Sequence, residues 1–189
     1  MNYNNSNNSN IFMYQLDQML YRMFNELMIV KNCSNITVEF INNMKIHHNE
    51  VINICKKFLN YSNYRPLVEN TQRIIKYNEK EIEYMNMILN TTPFYISKKR
   101  EMQNYLKKNY GLTEYMFNNI FNSIKTNNID LNFIFVLIKL FDGTIKICKN
   151  VVKHIIDPRL KELVNNTIIN YVEEIKILNK IEKNIISFE

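Results

Sequence analysis

The segment Ile52-Asn53-Ile54-Cys55-Lys56 returns 93 residues later as Ile145-Lys146-Ile147-Cys148-Lys149, and no gap is needed to extend the match in either direction. The same offset pairs Met23-Phe24-Asn25 with Met116-Phe117-Asn118, Asn35-Ile36 with Asn128-Ile129, and Phe40-Ile41 with Phe133-Ile134. Farther on it pairs Leu67 with Leu160, Glu69 with Glu162, and Glu81-Ile82 with Glu174-Ile175. Residues 20–88 against 113–181 give 18 identities in 69 positions, where biased composition alone supplies roughly a third of that. A chain built twice from one unit must bury two sets of matched apolar stripes, which leaves few architectures open.

The unit reads as three helices. In the first copy, Leu16, Met19, Leu20, Met23, Leu27 and Val30 recur at helical spacing, which predicts a helix over about 11–31. Thr37, aligned with Asp130, is the expected N-cap of the second helix, whose stripe is Phe40, Met44, Val51, Cys55 and Phe58. Pro66 suits the first turn of a third helix ending near Leu89, before Asn90-Thr91-Thr92-Pro93; Asp157-Pro158 gives the same start in the second copy. Gly111 is expected to interrupt the segment between Ser97 and Thr113. The polar, Asn-rich residues 1–10 read as a disordered tail. Residues 11–187 then form one helical domain, with repeats over about 11–90 and 104–183. The expected fold is all-α: an up-and-down bundle of two tandem three-helix repeats, since short connections force antiparallel neighbours.

Composition removes other classes. Two Gly and three Pro in 189 residues are too few turn residues for a sandwich or barrel, and neither Gly111 nor Gly143 belongs to a phosphate-cradling loop. No run of 18 apolar residues exists, so no membrane span is expected, and no N-terminal targeting segment is seen; a cytoplasmic location follows as the expectation. Cys33, Cys55 and Cys148 form no paired framework and read as reduced thiols. His154 reads as a helix-end residue whose cationic form suits the dipole. The net charge of +6 is concentrated only in Lys98-Lys99-Arg100 and Lys107-Lys108, a weak signal for nucleic acid. No Ser-His-Asp or Cys-His arrangement points to an enzyme. The sequence leaves a homo-oligomer open.

One constellation carries chemistry. Met44-x-x-His47-His48 puts a thioether and two imidazoles on one helix face. If the hairpin between helices two and three turns near Tyr64, His47 falls level with Glu81, and Met44 level with Tyr84 and Met85. Met19 and Met23 on the first helix are further, weaker contributors. Thioether and imidazole together favour Cu(I) or Ag(I), with Cu(II) or Zn(II) served by the histidines. A carboxylate-bridged di-iron centre is a poor fit, because the chain has no Glu-x-x-His. The second copy has Leu137, Leu140, Phe141 and Leu178 where the first has Met44, His47, His48 and Met85, and only Glu174 matches Glu81. Hydrophobes at those positions predict a buried face in both copies. The bland alternative is that the histidines are core residues, the methionines core filler and Glu81 structural, as its retention suggests.

Phe40-x-x-x-Met44-x-x-His47-His48, then Pro66, then Glu81-Ile82-x-x-Met85, resembles the family called domain of unknown function 305 over about Thr37–Leu89, with Ile129–Ile181 as a degenerate copy. The family pattern has Asp where Thr37 stands and Gln where Asn78 stands. The resemblance implies a ferritin-like helical bundle and, for some relatives, copper binding through Met and His. The expected function is therefore non-enzymatic soft-metal binding by His47, His48, Met44, Met85 and Glu81. The competing expectation is a structural or assembly protein with a vestigial site.

Overall fold

The computed structural model describes residues 3–29, 34–91, 96–123, 125–155 and 157–187. They form six α-helices: α1 (Tyr3–Met28), α2 (Ile36–Phe58), α3 (Arg65–Thr91), α4 (Lys99–Phe121), α5 (Ile129–Val151) and α6 (Pro158–Ser187). A 3₁₀ turn, Val152–His154, follows α5, and no strand occurs among the described residues. No helix there is long and apolar enough to cross a membrane.

Helix α1 begins at Tyr3, inside the Asn-rich segment read as a disordered tail. Extending a helix already nucleated by the 11–28 stripe costs little per residue. The cap of α2 is Asn35, not Thr37: its side chain accepts the Val38 N–H at 3.0 Å. At α5 the cap is Asn128, not Asp130, accepting the Leu131 N–H at 3.1 Å. Both residues meet the orphan donors of a first turn, and they lie 93 positions apart. Gly111 does not interrupt α4. It sits in mid-helix with nothing within 4 Å of where a Cβ would be. The Thr92-Pro93 stop signal and Cys33 lie outside the described residues.

Helix α2 packs against α1 and α3, and α5 against α4 and α6; α1 meets α4, α3 meets α6, and α2 touches α5. The central pair is the most buried, with 14 of 23 residues inside in α2 and 15 of 23 in α5, against 9 of 27 in α3 and 9 of 30 in α6. Phe58 stacks on Phe133 across this centre, centroids 3.7 Å apart and rings near parallel, and all six helices feed one apolar core. Gly143 lets α4 approach α5 closely, since a Cβ there overlaps the Met116 side chain. Ser97 ties the α3–α4 connection to the head of α2: its N–H donates to Ser34 O at 2.8 Å and its hydroxyl accepts the Ile36 N–H at 3.1 Å.

Candidate functional site

A polar cluster lies inside this apolar core. His47 and His48 are 3% and 0% exposed, so the face carrying them points inward. Their spacing on α2 lets one ring face α5 and the other α3. His47 Nε2 lies 2.7 Å from the Thr144 hydroxyl on α5. His48 Nε2 lies 3.8 Å from Glu81 Oε2 on α3. The two Nδ1 atoms are 3.3 Å apart. Level-matching along the hairpin had put His47 opposite Glu81; His48 takes that place, and His47 turns to α5.

Two proton patterns satisfy these contacts. The Thr144 hydroxyl has one hydrogen and two acceptors at 2.7 Å, Leu140 O and His47 Nε2. Burial, with His48 as the second cause, holds His47 well below the usual histidine range, so the ring is neutral and carries one hydrogen. With the Thr144 hydrogen on Leu140 O, His47 donates from Nε2, accepts at Nδ1 from His48 and leaves a lone pair on His48 Nε2; with it on His47 Nε2, the bonds run the other way. His48 Nε2 is fully buried and without a hydrogen-bond partner among the described residues.

Glu81 faces that nitrogen while its Oε2 accepts the Thr167 hydroxyl of α6 at 2.6 Å. Tyr171 closes the cluster: its hydroxyl donates to Asn78 at 3.0 Å, and its ring stacks on Phe141, centroids 4.3 Å apart. Burial raises the Tyr77 and Tyr171 phenols, with Glu81 among the further causes, so both remain protonated. Cys55 and Cys148 are free and buried, which pushes both thiols up; the next cause is Glu174 for Cys55 and Glu81 for Cys148. These are inert thiols rather than ready soft ligands.

Met44 and Met85 are buried at 4% and 1% exposure, each one turn from a polar member of the cluster: Met44 from His48, Met85 from Glu81. Met44 also lines a cavity with His47, Thr144 and Met116 of α4, a thioether the sequence reading did not place near the site. Met23 is buried in the core, and Met19 is partly buried against it. His154 pairs with Glu101 at 2.9 Å, away from the cluster.

The donors fit a soft or borderline ion in part. Metal bonds to imidazole and carboxylate of about 2.0–2.2 Å sum to slightly more than the 3.8 Å gap, so an ion between His48 Nε2 and Glu81 Oε2 needs no helix movement. Both ring nitrogens of His47 are already engaged. Among the described residues, no group of three or more His, Cys, Asp or Glu is arranged to hold a metal, so further ligands must be thioether or solvent. Thr144 and Thr167 are not among the residues singled out by the sequence pattern. A hydroxyl within an otherwise apolar stripe was the available signal.

A family model described as Domain of unknown function (DUF305) matches residues 37–182, from the first turn of α2 into α6. No curated protein and no solved structure matches the chain.

Proposed function

The chain belongs to the DUF305 family, and from that premise we propose that it is a non-enzymatic helical protein binding one soft metal ion beside His48. The observation that carries this reading is the buried, unpartnered His48 Nε2 facing Glu81 at 3.8 Å. A desolvated imidazole nitrogen beside a carboxylate is costly to keep without a partner, and a cation bound between the two relieves it. His48 and Glu81 are the inner donors, Met44 and Met85 supply the thioethers, and His47 holds His48 in place. Such a set suits Cu(I), with Cu(II) or Zn(II) as the harder competitors.

The architecture we infer is a ferritin-like bundle of two tandem three-helix repeats. Three facts support it besides the matching caps. Cys55 senses Glu174 while Cys148 senses Glu81, a reciprocal exchange between positions 93 apart. Tyr171 bonds Asn78, its own counterpart at that offset, as residues on a twofold axis do. Phe40 and Phe133 are both buried.

A Cu(I) titration of the apo protein under reducing conditions tests the function. One ion per chain is expected, with at least a tenfold loss of affinity in His48→Gln. Equal affinity in that variant removes His48 from the site. A second reading, a structural or assembly protein with a vestigial site, is favoured by the full engagement of His47; it gains if the wild type takes up no ion.

A further inference from the structure

We propose that the second half of the chain supplies the positioning groups of this site: Thr144 fixes the proton pattern of both imidazoles, and Thr167 holds Glu81 toward His48. The inference rests on the His48–Glu81 reading above and adds to it what sets the donor's state. At the same offset of 93, the first half has Val51 and Ile74 where the second has Thr144 and Thr167. All four positions are buried, at 0%, 2%, 0% and 2% exposure. A β-branched hydrophobe evidently fits each such place, so the hydroxyls are not needed for packing. They stand opposite the polar residues of the first half and nowhere else in the cluster. Val51 and Ile74 belong to the first half, and the second half carries Leu140 and Phe141 in place of His47 and His48.

The two hydroxyls act differently. In the proposed pattern Thr144 gives its hydrogen to Leu140 O, 2.7 Å away and the usual satisfaction of a threonine inside a helix, and so meets His47 as an acceptor only. An acceptor at Nε2 demands the Nε2–H form of His47. That form demands Nδ1–H on His48, and the outcome is a bare His48 Nε2 aimed at α3. Thr167 faces a carboxylate that has no hydrogen to give, so it donates, at 2.6 Å against 3.0 Å to Leu163 O. The second half lacks the ligands and carries the groups that orient them, so the asymmetry of the chain is a division of labour.

Ring ¹⁵N spectra of the metal-free, full-length protein read the proton pattern directly. The wild type is expected to show Nε2–H on His47 and Nδ1–H on His48. Thr144→Val is expected to lose that pattern, and Thr144→Ser to restore it. A wild type with Nε2–H on His48, or a Val variant with the wild-type pattern, overturns the role of Thr144. The Glu81 carboxyl ¹³C shift is expected to move in Thr167→Val and to return in Thr167→Ser; an unmoved shift overturns the role of Thr167. Cu(I) affinity of the two Val variants is expected to fall about 10–100-fold, as outer-shell losses do. If the wild type binds no ion yet the apo spectra behave as stated, the metal reading fails and the positioning stands.

Discussion

At the scale of single residues, the cluster departs from the rule that a helical core is apolar, and each departure has a partner. His47 meets Thr144, His48 meets His47, Glu81 meets Thr167, and Asn78 meets Tyr171. An exception is His48 Nε2. Copying the second half into the first, as His47→Leu with His48→Phe, removes that exception. Thr144 keeps its bond to Leu140 O, and Glu81 keeps Thr167, so no new buried group is orphaned. Burying the larger apolar side chains contributes about 1.5–3 kcal/mol each, and overpacking offsets about 1–3 kcal/mol. Thermal unfolding of the metal-free double variant is therefore expected at or above the wild-type midpoint, with Cu(I) binding lost. A midpoint far below the wild type means the imidazoles are structural members of the core.

Among the elements, α4 is the helix whose reading changed most, and its two neighbouring glycines say why. Gly111 looked like a break because glycine punctuates chains, yet it lies in open mid-helix, where the flanking apolar face fixes the conformation. Gly111→Ala removes backbone freedom from the unfolded chain and is expected to stabilise by about 0.5–1 kcal/mol. Gly143→Ala on α5 pushes into the Met116 side chain, including its Cβ, so α4 itself must shift. A loss of about 1–3 kcal/mol in urea unfolding is expected there. Equal effects of the two substitutions would mean that the α4–α5 approach is loose. The difference between these glycines lies in what stands across the helix interface, which the sequence pattern does not record.

For the molecule as a whole, a neutral buried histidine ties stability to pH. His47 has a folded value well below its ordinary 6.5, so below about pH 6.5 the unfolded chain binds more protons than the folded one. Stability therefore falls as pH drops through that range, by as much as about 2 kcal/mol between pH 6.5 and 5. Glu174 works the other way: burial raises it, so its cost appears as pH rises above its ordinary 4.5. Comparing urea midpoints of wild type and His47→Leu across pH 5–7 separates the two, and the variant is expected to show the shallower acid-side slope. Identical slopes would mean that His47 is protonated without penalty. The apolar periods of Phe40 to Phe58 and of Phe133 to Cys148 sufficed to set the helices and the inward face, because burial follows the 3.6-residue repeat of a helix whatever lies beyond it. The recurrence at 93 also pairs His47 with Leu140. Caps two residues earlier than expected, Asn35 and Asn128, were legible in principle, since Asn is as good a cap as Asp and better than Thr. What only the packed bundle decided was the direction of the two rings. A shift of one position along α2 turns a side chain by about 100°, so His47 reached Thr144 and His48 reached Glu81. Thr144 of α5 was thereby joined through His47 to His48 of α2, and no local pattern in the sequence records such a path.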